Sequence, residues 1–535
     1  MKYPYLVHHL LEHSAERLPD KEFIVCGDRR LTYAEVNEKA DRLAAGLIEL
    51  GVRRQDRAAI FLDNSAESVI ALFGILKAGA IFIMLSATMK AKKLNYILNN
   101  SGARVLVTHP QKSRIVNEAA ADAPDLKTII WCNSAPNQST NHPTNISWND
   151  VISIPSAPMP SALCPMPSAP LPSAPCPMPY AAPSIDLDLA TIIYTSGSTG
   201  EPKGVMSAHG NVLAAARSIS SYLENVEDDI ILSALPLSFD YGLYQVLMAA
   251  LFAGTVVLEK SFVFPYKVLE RLVQEKATGF PIVPTMLAML LQMDNLERFD
   301  FGRLRYVSNT AAALPVSHIR KLRGILPHVS IYSMYGLTEC KRVSYLPPDE
   351  IDRKPDSVGI PIPNEEVFIV DEHGSVVPPG VVGELVVRGA NVMQGYWRDA
   401  EETAKRFRPG KTPHERLLYS GDLFRRDEEG FLYFVARNDD MIKTKGERVS
   451  PKEIENVLCE MEGVAEAAVI GMPDDVFGQA IKAFVVGIDH GGVSEQAILK
   501  HCSQNLEPFM VPKSVVILDS FPKNASGKID KKRLS

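Results

Sequence analysis

Short runs rich in β-branched residues alternate with stretches of helical periodicity along most of this chain, and that alternation limits the folds open to it. The runs are Ala58–Leu62, Val105–Thr108, Thr128–Cys132, Thr191–Tyr194, Ile230–Ala234 and Thr255–Leu258. Strands that alternate with helices pair in parallel, because the helix carries the chain back over the sheet. The expected fold class is therefore α/β: a large amino-terminal domain of layered, mostly parallel sheets with helices, followed by a small α+β domain. One helix has both ends written in the sequence. In Leu31–Gly51, Thr32 is a capping residue, Glu35 completes a capping box, and Gly51 stops the helix. Val36, Ala40, Leu43 and Leu47 then share one face.

Length and charge narrow the class further. At 535 residues a single core is exceeded, since cores stop growing at about 250–300 residues. A net charge of −7 argues against a nucleic-acid backbone as partner. The seven cysteines form no CxxC pair, so neither a disulfide framework nor a zinc knuckle is indicated. The start, MKYPYLVHHLLEH, lacks the basic segment and apolar run of a signal peptide. The longest uncharged stretch, Tyr241–Leu258, is broken by Gln245, Gly254 and Thr255, and reads as a buried helix running into a core strand rather than a membrane span. A soluble, cytoplasmic, multidomain protein without a membrane or nucleic-acid partner is the expectation.

Two places mark organisation. From 155 to 183, eleven of twenty-nine residues are proline, with a near-repeat of Pro-Ser-Ala-Pro. Proline removes backbone donors, so this insertion is expected to be an extended surface loop rather than a docking site. Near residue 439 the chain turns charged (RNDDMIKTKGER), and Ser450-Pro451-Lys452-Glu453 then opens a helix with a capping serine, a first-turn proline and a capping-box glutamate. The boundaries are placed at 1–438 and 439–535. Strands are expected at Ala467–Gly471, Lys482–Val486 and Ser514–Leu518, with a helix near Ser494–Cys502.

The segment carrying chemistry is Thr191–Gly204, TIIYTSGSTGEPKG. An apolar strand gives way to hydroxyls and glycines, whose free N–H groups can cradle phosphate, and Lys203 adds a mobile positive charge. It is not a Walker A loop, because Lys203 is neither preceded by glycine nor followed by Ser or Thr. Further on come MYGLTE at Met334–Glu339, YSGD at Tyr419–Asp422, RNDDMIKTKGER at Arg437–Arg448 and NASGKID at Asn524–Asp530. Together these segments resemble, in order, the signatures of the adenylate-forming superfamily: acyl-CoA synthetases, luciferases and the adenylation domains of nonribosomal peptide synthesis. The resemblance covers almost the whole chain apart from the proline-rich insertion.

The resemblance implies an enzyme that joins a carboxylate to ATP, with magnesium, and then passes the acyl group to a thiol. It implies that Thr195, Ser196, Gly197, Ser198, Thr199, Gly200 and Lys203 hold the β- and γ-phosphates. Thr338 would contact the α-phosphate, Glu339 would ligate magnesium through hard oxygen, and Tyr335 would stack on adenine. Asp422 would accept from the ribose hydroxyls with help from Arg437, and Lys528 would bridge carboxylate and phosphate during adenylation. Asp439 matches the hinge of the small domain, and Lys443 and Gly446 match its thiol-transfer face. A frayed basic tail is the bland alternative for Lys528, and a non-catalytic nucleotide-binding relative is the alternative for the whole chain. Intact Lys203, Glu339, Asp422 and Lys528 argue against the latter.

Ser238-Phe239-Asp240 bears on the substrate. In amino-acid-activating relatives an aspartate after this phenylalanine binds the α-ammonium group, which needs a partner charge to enter a closed pocket. The alternative is that Asp240 only caps the helix beginning at Tyr241. Tyr241 and Tyr244 would shrink the pocket, favouring a small amino acid, with L-proline the best candidate and a separate carrier protein the acceptor. The rival is an acyl-CoA ligase for an acid without an amine. Where relatives often carry Gly-Gly along the pocket wall, this chain has Asn309-Thr310-Ala311-Ala312-Ala313, so Ala311 and Ala312 are expected to narrow it. Ala436 stands where glycine usually precedes the arginine, with no loss expected. Cys340 is expected in the pocket wall rather than as a nucleophile, His8, His9 and His13 as ordinary members of a first helix, and His209 as a residue orienting the phosphate loop.

Overall fold

The capping box predicted at Thr32 and Glu35 is made. Thr32 accepts from the Glu35 N–H while Glu35 accepts from the Thr32 N–H, and the helix they open runs Tyr33–Glu49 with Val36, Ala40, Leu43 and Leu47 fully buried. The computed structural model describes residues 3–133, 143–153, 184–196, 201–293, 295–310, 314–412, 415–444, 447–474, 478–488, 493–524 and 528–534. The proline-rich insertion, 155–183, lies outside them. The chain divides into two units, one of Met1–Ser261, Thr338–Cys340 and Met393–Thr403, the other of Phe262–Leu337, Lys341–Val392 and Ala404–Ser535.

The first unit is built on an eight-stranded sheet. Its parallel part is Thr144–Ser147, Thr128–Trp131, Val105–Thr108, Arg57–Phe61, Ile81–Met84 and Leu189–Ser196, side by side in that order. The last of these turns back as an antiparallel hairpin into Pro202–Ala208, and the short strand Gly395–Tyr396 closes that edge. The central strands are buried on both faces, which is why they read as uninterrupted apolar runs. A second group of strands in this unit, Ile230–Ser233, Thr255–Leu258 and Glu22–Cys26, is parallel, with Arg29–Thr32 antiparallel at its edge. Tyr241–Leu258 resolves as expected into the helix Asp240–Phe252 and the strand Thr255–Leu258.

In the second unit, Gly279–Ile282, Tyr306–Asn309 and Ser330–Tyr335 form a parallel set. Glu365–Val370, Gly383–Gly389, Arg416–Arg426, Phe407–Pro409 and Leu432–Arg437 form an antiparallel sheet. Its carboxy-terminal part carries its own core, with Ile454, Leu458, Val469, Ala483, Val485 and Ile498 packed together. The expected strands appear there as Val464–Asp474, Gly478–Gly487 and Ser514–Leu518, with the helix Glu495–Asn505 capped by Ser494.

One cap differs from the expectation. The helix Pro451–Glu460 begins with proline after Ser450, but Ser450 makes no side-chain cap. Its hydroxyl donates instead to the Val435 carbonyl at 2.5 Å. A hydroxyl oriented toward a distant acceptor is not available to its own helix, and the proline at the first turn, which has no N–H to satisfy, lowers the need for it.

Candidate functional site

In the first unit, the phosphate-loop candidates start from the hairpin. Thr195 and Lys203 face each other in register across it, and the Thr195 hydroxyl donates to the Lys203 carbonyl at 3.5 Å. Gly204 is obligatory: a Cβ there would meet Ile192 at 2.7 Å and the Tyr194 ring at 3.1 Å. The side chain of Ser196, and Gly197, Ser198, Thr199 and Gly200, lie outside the described residues. Lys203 Nζ forms an ion pair with Glu402 at 3.1 Å and sits 5.7 Å over the Tyr396 ring. The Tyr396 hydroxyl donates to Glu339 Oε1 at 2.6 Å.

Backbone pairing explains why these groups meet. The N–H groups of Gln394 and Trp397 donate to Met206 and Gly204 at 2.9 and 2.7 Å, and Met393 N–H donates to the Glu339 carbonyl at 2.9 Å. Thr403 accepts from the Tyr396 N–H at 2.9 Å, and the Asp399 carboxylate accepts from the Glu402 N–H at 3.0 Å, which fixes the turn carrying Glu402. Sequence reasoning missed Tyr396 and Glu402. The only local signal was the capping pair Asp399 and Thr403, which marks a turn and says nothing of its partner some 190 residues away in sequence.

His209 opens the helix His209–Tyr222 that follows the hairpin. It is buried, and its Nδ1 accepts from the Val7 N–H at 3.0 Å, so it fixes the amino-terminal segment. Burial pushes its imidazole down to about 4, against a smaller opposing effect of Asp188.

In the second unit, the adenosine-side candidates form a compact group. The Tyr335 hydroxyl donates to Asp422 Oδ2 at 2.5 Å, and Arg437 Nε lies 3.7 Å from Asp422 Oδ1. Asp422 and Arg437 are partners in register between neighbouring strands, so the sheet itself sets their spacing. The Tyr335 ring packs edge-on against Phe424 at 4.8 Å. Gly336 follows because a Cβ there would lie 2.1 Å from the Lys341 carbonyl. Gly421, in the left-handed region at φ 72°, lies at the register shift within the strand Arg416–Arg426, next to Asp422.

Asp240 is half-buried at the first residue of its helix, where Phe239 holds the capping position. Its Oδ1 accepts from the Tyr241 N–H at 3.0 Å. It is therefore not the cap that the alternative reading required. Tyr241 and Tyr244 are fully buried. Asn309, Thr310 and Cys340 are buried, and Ala311, Ala312 and Ala313 lie outside the described residues.

Lys528 is not in a frayed tail. Asn524 Oδ1 accepts from the Lys528 N–H at 3.0 Å, the Asn524 N–H donates to the Lys528 carbonyl at 2.8 Å, and Lys523 pairs with Ile529. Asp439 falls in the short turn Asn438–Asp440 and Lys443 in the strand Ile442–Thr444, their side chains outside the described set, as is Gly446. Among the described residues no helix is long and apolar enough to cross a membrane.

Comparison with known proteins gives the same reading. The family model described as AMP-binding enzyme matches residues 11–397, and the AMP-binding enzyme C-terminal domain matches 453–528. A long-chain-fatty-acid–CoA ligase of Salmonella typhimurium is 30% identical over 98% of this chain and 93% of its own length. Tyrocidine synthase 1 of Brevibacillus parabrevis is 28% identical over 99% of this chain and 44% of its own length. Among solved structures, the anthranilate CoA ligase AuaEII in complex with anthranoyl-AMP superposes with a TM-score of 0.87 at 27% identity, covering 100% of this chain and 98% of that one. O-succinylbenzoate coenzyme A synthetase from Bacillus subtilis, with ATP and magnesium ion, superposes with a TM-score of 0.80 at 28% identity, covering 98% of each chain. ATP and magnesium are accordingly the cofactors, and an oxygen donor such as the Glu339 carboxylate suits that hard ion. This chain belongs to the AMP-binding enzyme family, as an AMP-forming ligase.

Proposed function

We propose that this ligase activates a small amino acid, with L-proline the first candidate, and loads it onto the phosphopantetheine thiol of a separate carrier protein. In the first step a carboxylate oxygen of the amino acid attacks the α-phosphorus of ATP and pyrophosphate leaves. In the second the thiol sulfur attacks the acyl carbon, loses its proton, and AMP leaves. Magnesium, when bound, neutralises phosphate charge. Thr195, Ser196, Gly197, Ser198, Thr199, Gly200 and Lys203 take the β- and γ-phosphates, and the in-register facing of Thr195 and Lys203 supports this. Thr338 takes the α-phosphate and Glu339, oriented by the Tyr396 hydroxyl, the metal. Tyr335, Asp422 and Arg437 serve the adenosine, and Lys528, held in its folded loop, the reacting carboxylate. Asp439 is the hinge of a mobile 439–535 domain, with Lys443 and Gly446 on its thiol-transfer face.

The observation that carries the substrate assignment is Asp240. One carboxylate oxygen accepts from the Tyr241 N–H, and the carboxylate retains acceptor capacity for an ammonium group. A second reading, an acyl-CoA ligase acting on an acid without an amine, is favoured by relatives of matching length: the Salmonella ligase is covered over 93% of its length, against 44% for tyrocidine synthase 1. ATP–pyrophosphate exchange against the twenty amino acids and a set of fatty and aryl acids separates the two. Exchange with a small amino acid, reduced about thirtyfold or more by Asp240→Ala, is expected. Exchange only with acids lacking an amine, unaffected by that substitution, overturns the amino-acid assignment and leaves coenzyme A as acceptor.

A further inference from the structure

At the start of the first helix, histidines gather around one glutamate. The helix runs His9–Arg17 and His8 precedes it in helical conformation at φ −68° and ψ −22°. His8 and Glu12 are therefore four residues apart on a helical path, and His9 and Glu12 three apart, the spacings that bring side chains onto one face. Their ligand atoms, one from each of His8, His9 and Glu12, all lie within 4.8 Å of one another. We propose that these three residues form a second cation site, for a transition-metal dication of the zinc type.

The donor set selects the ion. Two imidazoles and a carboxylate suit zinc, nickel or copper, whereas magnesium and calcium prefer oxygen throughout. Zinc–nitrogen bonds of about 2.0–2.1 Å place tetrahedral ligand atoms about 3.4 Å apart, so the group closes by up to roughly 1.4 Å on binding. The fourth position is left for water.

The three residues differ in what already holds them. His8 Nδ1 is buried and makes no hydrogen bond. A buried acceptor without a partner is costly, and a metal ion supplies one. His9 Nδ1 accepts from the Leu6 N–H at 3.4 Å, a long contact that is readily given up. Glu12 Oε1 lies 3.2 Å from Lys77 Nζ, which leaves Oε2 for the metal. Lys77 is itself held by Asp41 at 2.6 Å and Asn37 at 2.8 Å, so its charge is balanced by a second carboxylate and it acts as an outer partner orienting Glu12. The His13 ring stacks on His9 at 5.7 Å and His209 lies edge-on to His8 at 6.1 Å, walling the group with imidazole.

The site would pin the amino-terminal segment. The same helix is tied down by the Ser14 hydroxyl, which donates to the Ala250 carbonyl at 2.7 Å, and the preceding segment by the Val7 N–H on His209. A metal held by His8, His9 and Glu12 would staple the first turn of the helix, between these two anchors.

The test uses the full-length chain without a histidine tag, stripped with chelator and titrated with zinc by calorimetry and with cobalt by visible absorption. Saturable one-to-one binding is expected, with the absorption of a four-coordinate cobalt ion and a raised thermal midpoint. His8→Ala and the isosteric Glu12→Gln should each weaken binding at least about tenfold. His373→Ala removes a histidine whose side chain is 81% exposed and should bind as the parent does. Glu12→Gln changes little in shape, so it carries the test if His8→Ala fails to fold. Absence of saturable binding, or binding unchanged in Glu12→Gln and lost in His373→Ala, overturns the proposal. None of these outcomes depends on which acid the enzyme activates.

Discussion

Single side chains decide whether the two groups of functional residues work. Tyr396 is the most informative, because its hydroxyl holds Glu339 while its ring lies beneath Lys203. Tyr396→Phe keeps the ring and removes the hydrogen bond, worth about 1–1.5 kcal/mol, so initial rates should fall about tenfold and the magnesium dependence should move to higher concentration. Lys528→Ala should reduce pyrophosphate exchange by about a hundredfold or more while leaving the thermal midpoint unchanged, since the bonds between Asn524 and Lys528 use the Lys528 backbone and not its side chain. Unchanged exchange would remove Lys528 from adenylation. The motif residues were legible one by one because their chemistry is local. Tyr396 and Glu402 were not, because what makes them functional is a partner on a remote segment.

At the scale of an element, the sequence speaks through its ends and its glycines. The Thr32–Glu35 capping box is legible because both partners lie within one turn, and Thr32→Ala should cost about 1 kcal/mol in denaturant unfolding. Ser450 carries the same local signal and was misread, since its hydroxyl goes to Val435, a contact that depends on how the sheet approaches the helix. The capping alternative for Asp240 is a related case: it placed the helix start at Tyr241, while the helix starts one residue earlier, on Asp240 itself, with Phe239 in the capping position. In the sequence Gly204 is only the last residue of the phosphate-loop segment. It is in fact a strand residue under close packing, and Gly204→Ala should lower stability and loosen the Trp397 contact together, detectable as a lower thermal midpoint and altered tryptophan fluorescence.

For the whole molecule, stability should depend on pH through histidines buried in their neutral form. His209 is pushed down to about 4 in the fold, against an ordinary value near 6.5 in the unfolded chain. The unfolded state therefore binds more protons between these values, and stability falls as pH is lowered from about 6.5 toward 4, then levels off. From His209 alone the loss between pH 7 and pH 5 is about 2 kcal/mol, and His209→Gln should flatten that part of the profile in urea titrations at the two pH values. Parallel strand pairing and the buried apolar runs followed from alternation in the sequence; the order of the strands did not. The way segments distant along the chain share one unit did not, because long-range pairing leaves no periodic trace.

The short strand Gly395–Tyr396 shows what such pairing means for a growing chain. It covers the outer side of Pro202–Ala208, next to the phosphate loop, yet it is synthesised almost 190 residues later. Until it emerges from the ribosome, that hairpin is an unprotected sheet edge with unpaired backbone groups, open to pairing with a neighbouring nascent chain. A polypeptide truncated before Gly395 should therefore aggregate rather than bind nucleotide, however complete its first four hundred or so residues look on paper.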